Sequence, residues 1–145
     1  MLHSILRKEK IAVLVSGGVD SSVALALLKR AGHDVHAFYL KIWLEDEVSF
    51  LGECPWEEDL RYVRAVCAKL GVPLTVVALQ KEYWTRVVSY VLDEVRLGRT
   101  PNSDMLCNPR VKFGAFLETL AQTSFDRVAT GHYAQTVSWR GKTKL

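Results

Sequence analysis

Residues 11–22 read IAVLVSGGVDSS, and this stretch decides the fold of the chain. The run IAVLV is continuously apolar, which is typical of a strand buried on both faces of a parallel sheet. Gly17 and Gly18 follow it, and SSVALALLKR at 21–30 has the pattern of a helix that ends near Gly32. The stretch therefore predicts a buried strand, a tight glycine turn and a helix start in direct succession.

The rest of the chain continues this alternation. We predict further strands at 35–42, 74–79 and 128–130, helices at 55–70, 82–97 and roughly 109–121, and long loops at 43–54 and 98–107. The alternation indicates one α/β domain with a parallel, Rossmann-like sheet and helices on both faces. Ligands of such sheets bind beyond the carboxyl ends of the strands. The glycine pair, residues 41–43 and Gly131–His132 all fall at that edge.

Length and composition are those of a globular chain. The 145 residues fit one domain, about half of them are hydrophobic and about a quarter are charged. No apolar run approaches the roughly 20 residues of a membrane helix, and the first ten residues lack the apolar core of a secretory signal, so we expect no membrane association. Cys54, Cys67 and Cys107 form no CxxC pair and no zinc-spaced cluster, which favours a reducing compartment.

The segment SGGVDSS at 16–22 has the chemistry of a phosphate-binding loop. Glycine lacks a Cβ, so Gly17 and Gly18 let backbone N–H groups approach a phosphate. The next helix adds unpaired N–H groups and the positive end of its dipole, and the three serines add hydroxyl donors. The spacing excludes a Walker A loop and the dinucleotide GxGxxG motif. The segment resembles the loop of the ATP pyrophosphatases, the PP-loop family, which split ATP between the α and β phosphates.

Asp20 is unexpected in a site for phosphate. A carboxylate there is explained if it caps the helix, or if it holds Mg²⁺ together with phosphates of the substrate. Both explanations stay open, and the second makes Asp20 a candidate metal ligand.

A second segment, RTPNSDMLC at 99–107, carries one carboxylate, Asp104, and one thiol, Cys107. Its proline and asparagine residues indicate a turn-rich loop, with the next helix beginning at about Pro109. A thiol at a helix start has a lowered pKa and forms the reactive thiolate more readily, and two basic residues that follow act in the same direction. The alternative is that Cys107 is a small buried residue and Asp104 a turn former.

The other two cysteines carry less chemistry. Cys67 lies on the apolar stripe of its helix, where Leu60, Val63 and Leu70 recur at helical spacing, so a core position is favoured. Cys54 lies in a loop beside Pro55, and an inert role is favoured there.

Several motifs together resemble one family. The motifs SGGVDSSVA, FYLKIW, EYW, GRTPNSDMLCN, KFGAF and ATGHYA occur in the order seen in the tRNA-specific 2-thiouridylases, the MnmA family. The resemblance covers residues 10–134, and AFYLKIW and CPWEEDL are most similar to the cyanobacterial and plastid-type branch. It implies that ATP adenylates the C2 oxygen of the wobble uridine of a tRNA, that sulfur from a cysteine persulfide replaces this oxygen, and that AMP and diphosphate leave. It also implies tRNA and a persulfide donor protein, either a relay protein or a cysteine desulfurase, as partners.

The resemblance assigns roles residue by residue. The positions that match ATP contacts are Leu14, Val15, Ser16, Gly17, Gly18, Val19, Asp20, Ser21, Leu40 and Gly131. Asn102, Ser103 and Asp104 match the segment that meets the target base, Cys107 matches the nucleophile, and Asp104 is then a general acid or base. Mg²⁺ is the expected companion of ATP.

Some positions depart from the family pattern. Ser103 replaces the second proline of PNPD, and Pro109 stands where a polar residue is usual. The family also continues into a segment with a second cysteine, which neither Cys54 nor Cys67 matches, and into tRNA-binding domains. We therefore expect a fragment or a shortened relative, with a lead-in at 1–9, the ATP-binding domain at 10–134 and the start of a connection at 135–145.

Basic residues are candidates for tRNA contact or for an ordinary solvated surface. They are Lys10, Lys41, Arg99, Arg110, Lys112, Arg140, Lys142 and Lys144. His132 is a candidate for a ligand contact or a structural hydrogen bond, and the tail WRGKTKL is expected to fray.

Three functions stay open from the sequence. They are an ATP-dependent tRNA uridine 2-sulfurtransferase, an ATP-binding module that is inactive alone, and another PP-loop tRNA-modifying ligase. We expect a cytoplasmic location, or an organelle stroma or matrix.

Overall fold

Four parallel strands form the central sheet of the chain. The computed structural model describes residues 8–42, 55–121, 123–134, 137–139 and 141–144. The strands are β1 (Lys10–Leu14), β2 (Asp34–Lys41), β3 (Leu74–Ala78) and β4 (Arg127–Ala129), in the order β3-β2-β1-β4. β1 is central, with Val13 opposite both Ala37 of β2 and Ala129 of β4. Each strand agrees with its sequence prediction to within one residue at each end, and the predicted α/β fold class is confirmed.

Helices cover both faces of this sheet. They are α1 (Val19–Arg30), α2 (Pro55–Leu70), α3 (Gln80–Tyr83), α4 (Ser89–Arg96), α5 (Ser103–Cys107) and α6 (Phe116–Leu120). Two π-helical segments, Trp84–Val88 and Asn108–Ala115, join α3 to α4 and α5 to α6. The predicted loop at 43–54 lies outside the described residues.

Alternate residues of β1 supply two separate cores. Val13 packs with Leu25 of α1 and Val63 of α2 on one face. Leu14 packs with Val111 and Phe116 on the other face. All six residues are buried, which explains why the first strand reads as an uninterrupted apolar run rather than an alternating one. The second core includes Cys107, so the helix that carries this thiol is fixed directly on the sheet.

The second predicted loop is shorter than expected. The sequence predicts a loop to residue 107 and a helix from about Pro109, but the helix begins at Ser103. The side-chain oxygen of Asn102 accepts hydrogen bonds from the backbone N–H groups of Asp104 (3.1 Å) and Met105 (3.2 Å), as an N-cap does. Pro109 therefore lies inside the helix rather than at its first position.

This internal proline accounts for the π-helical segment that follows. Pro109 has no N–H to donate to the carbonyl of Met105, and its ring crowds that carbonyl. The chain widens from an i→i−4 to an i→i−5 pattern, which is seen where Phe116 donates to the carbonyl of Val111. The helix continues through the proline instead of ending there.

The end of the chain also departs from expectation. Val137–Trp139 (β5) and Lys142–Lys144 (β6) pair as an antiparallel hairpin, whereas the sequence predicts a frayed tail. Gly141 lies in the turn with a φ of 72°, which glycine adopts without a steric cost. Within the described ranges, no helix is long and apolar enough to cross a membrane.

Candidate functional site

A cavity of about 420 Å³ opens at the carboxyl ends of β1, β2 and β4. Its lining consists of Leu14, Val15, Ser16, Gly18, Asp20, Ser21, Tyr39, Leu40, Ile42, Asp59, Cys107, Lys112, Thr130, Gly131 and His132. The structure thus brings the glycine loop, the end of β2, Gly131 and Cys107 into one site, at the sheet edge where the topology predicts ligand binding. Of the predicted ATP contacts, Gly17 and Val19 lie outside the lining.

The glycine loop is held against α2. Gly17 has a φ of 87°, and a Cβ there would lie 3.0 Å from the backbone oxygen of Asp59. Gly18 differs, because its φ of −75° suits any residue and the nearest atom to an added Cβ is the Ser16 hydroxyl at 3.5 Å. The two glycines therefore have separate roles. Gly17 permits the turn and its packing, whereas Gly18 leaves space open on the cavity side.

The serines of the loop bind the loop itself. Ser21 is buried, and its hydroxyl donates to the Gly18 carbonyl at 3.2 Å and accepts from the backbone N–H of Ser16 at 3.2 Å. The Ser22 hydroxyl also donates to the Gly18 carbonyl, at 2.9 Å. In this conformation the Ser21 and Ser22 hydroxyls fix the turn, in place of the phosphate-donor role that the sequence predicts for them. No side chain caps the N-terminus of α1, so its first N–H groups face the cavity region uncapped.

Asp20 lies in the first turn of α1 and does not cap it. The N-cap of α1 is Gly18, without a side-chain hydrogen bond, which removes one of the two explanations of this carboxylate. Its Oδ1 accepts a hydrogen bond from the hydroxyl of Tyr133 at 2.7 Å. That bond and the negative charge of Asp20 raise the pKa of Tyr133. The described residues contain no cluster of three or more side chains suited to a metal, so Asp20 would hold Mg²⁺ only together with phosphates and water.

Cys107 reaches the cavity from the second core. Its side chain is buried, and burial raises the pKa of the thiol, with the charge of Asp104 adding to the increase and that of Lys112 opposing it. The sequence predicts a lowered pKa from a helix start at this position. That prediction is wrong because the helix starts at Ser103, so Cys107 is not at the helix N-terminus, and the cost of burying the thiolate outweighs the nearby cation.

The segment predicted to meet the target base lies just before Cys107. Asn102 caps α5, and Ser103 and Asp104 form its first turn. None of the three lines the cavity, although Asp104 is close enough to influence the pKa of Cys107. Asn102 and Asp104 are exposed, so a macromolecular substrate can reach them.

The predicted basic residues whose side chains the structure describes do not form one face. Lys10 lies at the amino end of β1, away from the cavity, where its Nζ donates to Ser124 at 3.0 Å. Arg99 pairs with Glu94, and Arg110 donates to the Arg86 carbonyl at 2.8 Å. Lys41 Nζ lies 4.0 Å from the ring centroid of Trp56. Arg140 and the side chains of Lys142 and Lys144 lie outside the described structure. Lys112 alone among the described lysines and arginines lines the cavity.

The structure adds site residues that the sequence did not single out. Asp59 contributes a carboxylate from α2, and Thr130 lines the cavity beside His132. The Nδ1 of His132 lies 2.8 Å from the Thr130 hydroxyl, so the histidine has both the structural bond and the cavity position that the sequence left as alternatives. Asp59 lies between Trp56 and Leu60 in an ordinary amphipathic helix, and no local signal distinguishes it from the other acidic residues there. Cys67 is buried in the first core, as predicted, and Cys54 lies outside the described residues.

Comparison with known families gives a match over almost the whole chain. Residues 9–145 match the family described as the tRNA methyl transferase HUP domain. The chain is 48% identical over 136 residues to the tRNA-specific 2-thiouridylase MnmA of Parabacteroides distasonis, covering 94% of this chain and 37% of that protein. It is 42% identical over 144 residues to MnmA of Bacillus mycoides, covering 99% of this chain and 38% of that protein. The chain thus spans little more than a third of the length of these curated relatives.

Solved structures share the fold at low sequence identity. A predicted subunit of tRNA methyltransferase from Methanocaldococcus jannaschii has a TM-score of 0.54 at 21% identity, covering 86% of this chain and 53% of that one. The NMN synthetase of Francisella tularensis has a TM-score of 0.52 at 17% identity, covering 83% of this chain and 44% of that one. These likenesses support the parallel-sheet fold.

Proposed function

This chain belongs to the tRNA methyl transferase HUP domain family, and from that premise we propose that it is the ATP-binding part of a tRNA uridine 2-sulfurtransferase. One observation carries the proposal: the glycine loop and Cys107, more than 80 residues apart in sequence, line the same cavity. A phosphate site and a thiol in one cavity suit a reaction that first activates an oxygen with a nucleotide and then introduces sulfur.

The nucleotide would lie across the carboxyl edge of the sheet. The phosphates would meet the Ser16–Ser21 loop and the uncapped N-terminus of α1, whose dipole favours negative charge. The adenine would lie against Leu40 at the end of β2, and Gly131 would let the nucleotide approach the opposite side. Mg²⁺, held by Asp20 and the phosphates, would neutralise part of the charge of ATP.

The tRNA base would enter past the cap of α5. Asn102, Ser103 and Asp104 are the residues that we propose meet the uridine, whose C2 oxygen attacks the α-phosphorus while the bond to diphosphate breaks. A persulfide donor protein would supply the sulfur to a cysteine, and the outer sulfur of that persulfide would attack C2, so that AMP leaves with the displaced oxygen. The Cys107 thiolate would then attack the inner sulfur and break the S–S bond, which releases 2-thiouridine and leaves a disulfide for an external thiol to reduce, with Asp104 as a general acid or base.

The proposal is tested on tRNA. The chain spans little more than a third of its curated relatives, so it is assayed both alone and joined to the C-terminal part of one of them. Each protein is combined with ATP, Mg²⁺, a persulfide donor and a tRNA with an unmodified wobble uridine, and the nucleosides are analysed by mass spectrometry together with AMP and diphosphate. In the joined protein we expect AMP formation that depends on the tRNA, and 2-thiouridine at the wobble position. Modification of another base, or tRNA-dependent AMP formation with a different adduct, would assign the chain to a different tRNA-modifying reaction.

A further inference from the structure

The charge of the cavity is unusual for a site that receives a nucleoside triphosphate. Two carboxylates, Asp20 and Asp59, line it, and among the described residues Lys112 is the one lysine or arginine that does so. The partial positive charge at the N-terminus of α1 offsets some of the repulsion from these carboxylates. Mg²⁺ would neutralise part of the charge of a bound triphosphate, and Lys112 is the described lysine or arginine side chain in position to add a further positive charge.

Lys112 reaches the cavity because the helix is widened at this point. It follows Cys107 by five residues, and in an α-helix a residue five positions on lies about 140° around the axis. Both side chains nevertheless line the same cavity. The π-helical segment Asn108–Ala115 explains this, because its i→i−5 hydrogen bonds bring residues five apart onto adjacent turns.

Two residues of the segment favour the wide turn. Pro109 removes the N–H that an α-helix would use at this point. Gly114, five residues later, lies so close to the Pro109 carbonyl that an added Cβ would be 2.9 Å from its oxygen. The proline and the glycine together let the helix widen, and the widening places the ammonium group of Lys112 on the side of Cys107.

The ionisable groups that face Cys107 are few. Lys112 and Asp104 belong to the same helix and have opposite effects on the pKa of the thiol. Tyr83 of α3 packs against the same core, and its pKa is raised by burial and, in addition, by Cys107 and Asp104. Asp20, Asp59 and His132 line the cavity with Cys107. Lys112 is therefore the one lysine of this set, and its charge opposes the effect of burial on the pKa of the thiol.

We propose that Lys112 has two alternative partners, a phosphate of the bound nucleotide and the thiolate of Cys107, so that nucleotide occupancy and thiol reactivity are coupled. The inference rests on the proposed function in one respect, that a nucleotide enters this cavity. While phosphate engages Lys112, the thiol loses its stabilising cation and stays protonated. When the phosphates leave, the lysine is available to the thiolate again.

The test combines nucleotide affinity with thiol titration. ATP affinity is measured by isothermal titration for the wild type, Lys112→Gln and Lys112→Arg. The rate of Cys107 alkylation by iodoacetamide is followed from about pH 7 to about pH 10.5 by peptide mass spectrometry, with and without ATP. The pH midpoint of alkylation reports the ionisation of the thiol, whereas simple blocking of the cavity by ATP lowers the rate at every pH and leaves the midpoint unchanged.

We expect Lys112→Gln to bind ATP at least about tenfold more weakly and to shift the midpoint of the ATP-free protein to higher pH. ATP should move the midpoint upward in the wild type and by less in Lys112→Gln. Lys112→Arg should keep both the ATP affinity and the alkylation midpoint of the wild type, because it keeps the positive charge. Lys69→Gln is the matched control, since Lys69 is exposed in the last turn of α2, outside the cavity lining, and should change neither property. If Lys112→Gln fails to fold, Lys112→Met keeps the apolar stem and serves in its place.

Three results would overturn the inference: wild-type ATP affinity in Lys112→Gln, an unchanged midpoint in its ATP-free form, or a wild-type midpoint that ATP binding does not move. Absence of ATP binding in the wild type would instead contradict the proposed function itself. The affinity of the wild type therefore separates the two failures.

Discussion

An added Cβ on Gly131 would lie 2.6 Å from the backbone nitrogen of Ser21. Gly131, two residues after the end of β4, thus touches the first turn of α1 directly, and glycine is the one residue that leaves room for this approach. The contact joins the end of a sheet strand to the glycine loop. The geometry of the N-terminus of α1 therefore depends on a residue 110 positions away in the sequence.

We predict that Gly131→Ala weakens both the fold and ATP binding. The methyl group would also lie 2.8 Å from the carbonyl carbon of Asp20, so α1 or β4 must shift, at a cost of about 1–3 kcal/mol. Urea unfolding followed by circular dichroism measures the first effect and isothermal titration the second. Gly18→Ala is the control for stability, because its Cβ would meet nothing closer than the Ser16 hydroxyl at 3.5 Å, an ordinary contact distance. Equal losses of stability in the two variants would contradict the packing argument.

Gly18→Val is predicted to abolish measurable ATP binding while the fold remains intact. The backbone of Gly18 suits any residue and a Cβ there is 3.5 Å from the nearest atom, but a branched side chain would occupy the space through which phosphate reaches the N–H groups of α1. Titration calorimetry at matched protein concentrations gives the affinity, and the circular dichroism spectrum verifies folding. A folded variant with wild-type affinity would show that phosphate binds elsewhere.

The sequence predicts this fold well where the signal is local, as it is for an apolar run, a glycine turn or an apolar helical stripe. β1, the glycine turn and the core position of Cys67 depend on residues that are neighbours in sequence or on one helical stripe. The sequence places the start of α5 too late because two signals compete: Asn102 is a good N-cap, and Pro109 is a good first helical residue. The cap prevails and the proline is accommodated inside the helix.

Other parts of the site depend on relationships that no local pattern contains. Lys112 faces the cavity because this part of the helix is π-helical. The α-helical spacing that the sequence suggests would place its side chain on a different side of the helix. The pKa of Cys107 depends on packing against the sheet, which follows from the tertiary fold. The approach of Gly131 to Ser21 likewise joins two distant segments.

Asn102→Ala is predicted to destabilise the protein by about 0.5–2 kcal/mol, because two N–H groups of α5 lose their acceptor. Asn102→Asp retains an acceptor oxygen and should keep most of the stability. Urea unfolding midpoints compare the three proteins. If Asn102 also contacts the target base, Asn102→Asp will keep the stability but lose tRNA-dependent AMP formation. Equal stability of the alanine and aspartate variants would show that the cap contributes little.

The stability of the fold should fall as the pH decreases below about 6.5, and His36 should contribute to the loss. Its Nε2 lies 2.8 Å from the Thr75 hydroxyl, and its ring stacks on that of Phe38 with the two ring centroids 4.7 Å apart. Burial lowers the pKa of His36, the charge of Lys10 lowers it further and that of Asp34 opposes them.

The unfolded chain therefore takes up protons at a higher pH than the native state does, and acid favours unfolding. Thermal midpoints at about pH 7.5 and about pH 5.5 measure the change. His36→Gln should lose less stability between these values, and Lys10→Met, which removes the neighbouring charge, should also lose less. An identical pH dependence in the wild type and His36→Gln would show that other groups cause it.

Cys107 should be alkylated faster than Cys67 in the folded protein, but both should react more slowly than an unstructured thiol. Burial raises the pKa of each, so the thiolate fraction at neutral pH is below that of a free cysteine. The two thiols differ in access and in charge. Cys107 lines the cavity with Lys112, whereas Cys67 is enclosed between α2 and the sheet, where burial alone raises its pKa. Iodoacetamide labelling at several pH values, resolved by peptide mass spectrometry, compares the two sites, and labelling in urea supplies the unstructured reference.

Both labelling rates should rise with pH, and the difference between the two cysteines should disappear in urea. Faster labelling of Cys67 in the native protein would contradict the assignment of Cys107 to the cavity, and a native rate for Cys107 above its rate in urea would show that the cation prevails over burial.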